Sequence, residues 1–372
     1  MEFQNVHYYG EDFRFHFGDV AVEKGRIAAL REKPDCGERK RLLLPGFVDL
    51  HLHGNSGLDF SDDGYEGLCT MARFLAAHGT TSFSPASMTV SETALDRAYR
   101  AAVRLRDEAP AGAAHIVGIT MEGPFFSMAK RGAQNPDFLQ PPSIGMLRRL
   151  QAAADGMIRI TCVAPELPGA EDFIREAAAA GVVVSVAHTE ADYETASRAF
   201  ELGARHVTHL CNGMPPLLHR APGVIGAAAD HPEVMVELIG DGLHVHPAMV
   251  RAIFRIFGPE RICLITDALA FCGMEGGEFC LGGQRVTLSG GLARLADGTI
   301  AGSTATMLDC VRRLAGMGIP LEEALRTASF NPARILGVLE DVGAIAVGRR
   351  ADLLLCDGEM NLERVYLSGE AL

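Results

Sequence analysis

Residues 46–53 read Gly46-Phe47-Val48-Asp49-Leu50-His51-Leu52-His53, a short apolar run that ends on two histidines. Comparable runs recur down the chain: TTSFSPA (80–86), HIVGITMEG (115–123), MIRITCVAP (157–165), VVVSVAHT (182–189), HVTHL (206–210), VMVELIGDG (234–242) and RICLITDA (261–268). Short apolar runs of this kind read as buried strands, and the amphipathic stretches between most of them read as helices. One such stretch follows a capping-box signature at Thr89 and Glu92 and places Leu95, Tyr99, Ala102 and Leu105 on one face. Eight strands with helical connections predict an α/β fold, a (β/α)8 TIM-like barrel over residues 45–339. A Gly-rich, β-like insert at residues 273–302 follows the last strand.

The two ends of the chain have a different texture. Phe13, Phe15 and Phe17 alternate with Arg14 and His16, the period of a half-buried strand. Gly18-Asp19 predicts a turn before Val20 and Val22, and Lys24-Gly25 predicts a second. The tail, GAIAVGRRADLLLCDG (343–358) and then VYLSG (365–369), looks alike. Residues 1–44 with 340–372 are therefore expected to form a small β-sandwich domain built from both termini.

Composition narrows the function classes. The 372 residues carry 34 basic and 47 acidic side chains, a net charge of −13, which argues against a nucleic-acid surface. A locally positive pocket for a small anion remains compatible with that balance. No apolar run approaches the roughly 18 residues of a membrane span, and the first residues lack the basic and apolar regions of a secretory signal. The nine cysteines are dispersed from Cys36 to Cys356 with no C-x-x-C pair, the pattern of reduced thiols in a cytoplasmic protein. There is no P-loop, dinucleotide fingerprint or G-x-S-x-G elbow.

The chemistry-bearing residues gather where strands end. His51 and His53 are two apart, hence on one face of a strand. Glu122 ends HIVGITM, His188 ends VVVSVA, His209 follows HVT and Asp267 ends RICLIT. Alone, each would be a solvated, core or capping residue. Together they fall at the C-terminal ends of barrel strands, where barrel active sites sit. A set of His, Asp and Glu without Cys suits Zn²⁺, Fe²⁺ or another first-row divalent ion. A second group, Asn212, His219 and Arg220, lies in HLCNGMPPLLHRAPG, with His244 in GDGLHVHP. Arginine offers a planar fork suited to phosphate. His246 reads as a helix-entry residue before Pro247.

These motifs, with PGFVDLHLHG, MEGPFF, LITDALA, AGSTATM and GRRADLLL, resemble the N-acetylglucosamine-6-phosphate deacetylases of the amidohydrolase superfamily, in one order over residues 45–356. The resemblance implies hydrolysis of the acetamide of an N-acetyl amino-sugar 6-phosphate to acetate and the free amine. It implies Glu122, His188 and His209 as main metal ligands, His51 and His53 as the pair able to hold a second ion, and Asp267 as catalytic acid/base. One or two divalent ions per subunit, Zn²⁺ or Fe²⁺, are implied. Substrate contacts are implied at Ala133, Gln134, Asn212, the Gly213 amide, Arg220, His244, Ala301 and Gly302. The arginine is often contributed across a dimer interface in the family, which implies a homodimer. Two departures stand out. Gln134 replaces a histidine usual after Arg-Gly-Ala in the family, and Gly213 replaces an alanine, a mild change if only the backbone amide is used. A Gln amide donates a hydrogen bond but carries no charge. Two rivals remain: an amidohydrolase acting on another amino-sugar phosphate, such as the galactosamine isomer, and a non-catalytic barrel.

Overall fold

The computed structural model describes residues 1–35, 37, 40–274, 276–281, 284–289 and 292–372. Cys36 and the glycines at 282, 283, 290 and 291 of the insert lie outside the described residues.

Each of the eight apolar runs contains a strand. Phe47–Asp49, Thr80–Phe83 and His115–Ile116 pair in parallel. The third run resumes as Ile119–Met121, and from there Ile158–Val163, Val183–Val186, His206–Val207, Met235–Ile239 and Ile262–Ile265 follow in order, all parallel. A parallel bridge between Ala86 and Thr120 joins the two arcs. The seam between last and first strands is closed by the Asp267 N–H donating to the His51 carbonyl at 2.9 Å and by Thr266 Oγ1 donating to buried Asp49 Oδ2 at 2.6 Å. The outcome is the expected α/β barrel.

Two-residue periodicity decides what faces inward. Met235, Ile239, Cys263 and Ile265 join one buried cluster with Val48, Leu50 and Ile160, while Val236, Leu238, Ile262 and Leu264 belong to the cluster packed under the helices. Helix Glu92–Glu108 shows the other period: Leu95, Tyr99, Ala102 and Leu105 are all buried. Its cap differs from expectation. Ser91, not Thr89, is the N-cap and accepts from the Ala94 N–H. The capping-box pattern is a four-residue match, and here the site draws the Thr89 backbone elsewhere, as described below.

Both termini contribute to one continuous seven-stranded sheet. Its order in space is Glu370–Ala371, Leu362–Leu367, Leu353–Asp357, Arg41–Pro45, Glu2–Tyr9, Phe15–Glu23 and Arg26–Glu32. Alternation again divides the faces. Leu43, Leu353 and Leu355 pack with Val20, Val22 and Ile27, whereas Leu42, Leu44 and Leu354 join the barrel's outer cluster. Gly18 does not make the turn expected of it. The strand runs through it, and a Cβ there would lie 2.1 Å from the Arg31 carbonyl oxygen, so the glycine permits close approach of the neighbouring strand. The Gly-rich insert is the antiparallel set Gly277–Leu281, Gln284–Ser289, Leu292–Leu295 and Ile300–Gly302.

Candidate active site

The strand ends converge. His51 and His53 follow Phe47–Asp49 and are buried, Glu122 follows Ile119–Met121, and His188, His209 and Asp267 each stand two residues past their strands. The last three share a backbone feature: φ is 45° at His188, 29° at His209 and 48° at Asp267. A non-glycine residue held there costs about 1–3 kcal/mol. Three such residues at equivalent strand ends aim their side chains across the barrel mouth instead of along the strand.

What they aim is decided by hydrogen bonds at the far side of each ring. His53 Nδ1 faces the Ala86 carbonyl at 3.1 Å, His188 Nδ1 the Lys130 carbonyl at 2.8 Å and His209 Nδ1 the Asn212 carbonyl at 3.2 Å. His51 Nδ1 faces Glu237 Oε2 at 3.0 Å. Carbonyls and carboxylates only accept, so every Nδ1 donates and every neutral ring directs its Nε2 lone pair inward. Those nitrogens meet around one carboxylate. Glu122 Oε1 lies 3.1 Å from His209 Nε2, 3.2 Å from His188 Nε2 and 3.6 Å from His51 Nε2, and Oε2 lies 3.2 Å from His53 Nε2. His188 and His209 Nε2 stand 3.2 Å apart, and buried His51 Nε2 has no hydrogen-bond partner among the described residues.

Lone pair facing lone pair in a buried site calls for a cation. The donor set fits a first-row divalent ion: Glu122, His188 and His209 form one compact group, and His51, His53 and Asp267 a second. Burial pushes the Glu122 carboxyl up, but positive charge facing it, at His51 above all and with hydrogen bonds from His188 and His209, holds the group well below the usual range, a charge that a cation in the site would equally supply. Asp267 is likewise kept below its ordinary value against burial, by His53 and His51. Both are therefore charged carboxylates at neutral pH.

One member was absent from the sequence reading. Glu237 points into the barrel from the strand Met235–Ile239 and is fully buried. Its Oε2 accepts from both His51 Nδ1 and the His209 backbone N–H, the latter at 2.9 Å. Burial raises this carboxyl, and His51 outweighs that to keep it low. A second carboxylate behind an imidazole fixes its tautomer and raises its basicity. The available signal was a glutamate inside an otherwise apolar strand, where an unpaired charge is costly.

Beside the cluster is a cavity of about 160 Å³ lined by Glu122, His188, His209 and Asp267 together with Ala133, Gln134, Asn212, Gly213, His244 and Ala301. His53 and Gly132 line it too, as do Met88, Thr299 and Ile300, three residues that the sequence did not single out. His244 is set by Asp241, whose Oδ2 lies 2.6 Å from its Nδ1. The Asn212 amide donates to the His209 and Leu210 carbonyls at 3.2 and 3.3 Å. Gly213 has φ 62°, and a Cβ would approach His188 Nδ1 to 3.0 Å, so its smallness bears on the imidazole as well as on the backbone amide.

Two expected contacts are not in this wall. Gly302 packs under Leu269 and the Asp267 carbonyl. Arg220 is exposed, with Nη1 2.7 Å from His219 Nε2, and lines an adjacent cavity of about 420 Å³ with Glu190, Asp192, Tyr193 and Glu194. Its loop position was readable from sequence, whereas its direction was not.

The amidohydrolase family profile matches residues 42–372. An N-acetylglucosamine-6-phosphate deacetylase of Vibrio furnissii is 34% identical over 88% of this chain and 82% of its own length. An N-acetylgalactosamine-6-phosphate deacetylase of Escherichia coli O157:H7 is 35% identical, covering 94% and 93%. The structure is similar to that of a mutant N-acetyl-D-glucosamine-6-phosphate deacetylase from Mycobacterium smegmatis in complex with N-acetyl-D-glucosamine-6-phosphate, with TM-score 0.88, 36% identity and coverage of 96% and 94%. With its family profile spanning the barrel and both site groups, the chain belongs to the amidohydrolase family.

Proposed function

We propose that this protein hydrolyses the acetamide of N-acetyl-D-glucosamine 6-phosphate to acetate and D-glucosamine 6-phosphate. The observation that carries the reading is the convergence of four imidazole Nε2 atoms on Glu122, with Asp267 Oδ1 3.4 Å from His53 Nε2 and 3.7 Å from His51 Nε2 at the edge of the cavity. Glu122, His188 and His209 would hold a divalent ion, Zn²⁺ or Fe²⁺, and His51 and His53 a second. Bound there, the ion supplies Lewis acidity and a pKa for water of about 7.

The chain's own residues do the rest. Asp267, anionic in its surroundings, accepts the proton of the water that attacks the acetamide carbonyl. It returns that proton to the amine, which otherwise leaves poorly. His244 has its Nδ1 committed to Asp241, which leaves Nε2 to accept from a sugar hydroxyl, and Asn212 and the Gly213 amide N–H lie beside it for the phosphate. Fixing the phosphate away from the reacting bond orients the amide. Arg220 serves the phosphate of a partner subunit's site in a homodimer: it is exposed on a loop that also exposes Leu217 and Leu218, outside its own cavity wall. The free thiols of Cys69, Cys162, Cys211, Cys263, Cys272, Cys310 and Cys356 support a cytoplasmic setting. No helix among the described residues is long and apolar enough to cross a membrane.

The galactosamine epimer is the second reading, because a deacetylase for it is as similar as those for the glucosamine epimer. Acetate release is measured from both phosphorylated epimers and from unphosphorylated N-acetylglucosamine, with Zn²⁺ or Fe²⁺ supplied. Turnover of the glucosamine phosphate above the other two is expected. Preference for the galactosamine phosphate would reassign the substrate, and metal-loaded protein inert to all three would sink the activity.

A further inference from the structure

Gln134 stands in the cavity wall, where its position suggests a substrate contact, yet each of its side-chain polar atoms already bonds a protein group. Oε1 accepts the Thr89 backbone N–H at 2.7 Å, and Nε2 donates to Glu122 Oε2 at 2.8 Å. An N–H only donates, so Thr89 decides which way round the amide lies. The amide therefore presents its donor to the carboxylate. The loop beneath is pinned as well: the Gln134 N–H donates to the Arg131 carbonyl at 3.0 Å, and Gln284 Nε2 of the insert donates to the Ala133 carbonyl at 2.5 Å. Gln134 itself is only 3% exposed.

The consequence is a division of labour between the two oxygens of Glu122. Oε1 faces His188 and His209, while Oε2 is shared by Gln134 and His53. Without the amide, Oε2 loses the N–H that Gln134 donates to it, and the plane of the Glu122 carboxylate is held less firmly. We propose that Gln134 is a positioning residue for the ion-binding carboxylate, fixing Glu122 by a bond whose direction the Thr89 backbone sets. The inference rests on Glu122 as an ion ligand. Because the amide does not titrate, the restraint is the same across the working pH range.

Two variants and one control test it. Gln134→Leu removes both side-chain bonds, and near-isosteric Gln134→Glu keeps the acceptor for Thr89 while setting carboxylate against carboxylate. Zinc affinity is measured by competition with a chromophoric chelator, beside KM and kcat at saturating zinc. Both variants are expected to bind zinc about 10–100-fold more weakly, Gln134→Glu the more so, with KM within about threefold of wild type. Unchanged zinc affinity with a KM raised tenfold would overturn the proposal and make Gln134 a substrate ligand. The control is Glu122→Gln: zinc binding as tight as in wild type would instead remove the metal centre on which the inference stands.

Discussion

The imidazole cluster and the loop from Asn212 to Arg220 lie at the same end of the barrel, yet they are built to different degrees of completion. In the cluster every ring is tied at Nδ1 and aimed at Nε2, and the central carboxylate touches all four. In the loop Asn212 and Gly213 reach the cavity, but Arg220 turns to another pocket and remains exposed. The group proposed to carry the chemistry is preorganised within one chain. The loop proposed to hold the phosphate carries a cation available to something outside its own cavity wall. Preorganised polar groups lower a barrier because they need no rearrangement as charge develops, whereas a phosphate clamp only has to capture and orient.

The comparison breaks most sharply at Asp267. Asp267→Asn removes the proposed proton acceptor and is expected to lower kcat by about 10²–10⁴-fold. A divalent ion at the proposed ligands Glu122, His188 and His209 should stay, as measured by elemental analysis, and near-normal kcat would remove Asp267 from its proposed role. Next comes the support behind the cluster. Glu237→Gln is expected to weaken metal binding about tenfold or more, because the His51 tautomer is no longer dictated by a carboxylate. Chelator competition reads this directly, and an unchanged affinity would show that the Glu237 bond is structural only. The smallest effect is expected on the loop. Arg220→Ala should raise KM for the phosphorylated substrate about tenfold, in line with loss of a charge-assisted hydrogen bond, with melting temperature unchanged. Mixing Arg220→Ala with Asp267→Asn subunits sharpens the point. If the arginine acts across a dimer, mixed dimers regain a site with both groups intact, and activity above that of either variant appears. No recovery would confine Arg220 to its own subunit or remove it from the reaction.

Much of this was written locally. Short apolar runs ending in His, Glu or Asp are visible without coordinates because a parallel barrel buries its strands on both faces and places its active residues at their ends. The faces of the helix with Leu95, Tyr99, Ala102 and Leu105 were equally plain. Local pattern misled where two solutions share one signature. Thr89 and Glu92 match a capping box, but Ser91 is the cap, and the Thr89 N–H bonds Gln134 instead. Gly18 reads as a turn because glycine serves turns, yet it equally serves close strand approach.

Sequence alone determined the order of strands and helices, the terminal β region and the inventory of side chains at the barrel mouth. Tertiary structure decided what each inventory member does. Which nitrogen of each imidazole faces inward depends on acceptors as remote as Glu237, 186 residues from His51. The target of the Gln134 amide depends on a backbone N–H 45 residues earlier. Periodicity is a property of neighbours in the chain, whereas a hydrogen bond across a closed barrel is a property of neighbours in space, and barrel closure brings those groups within reach.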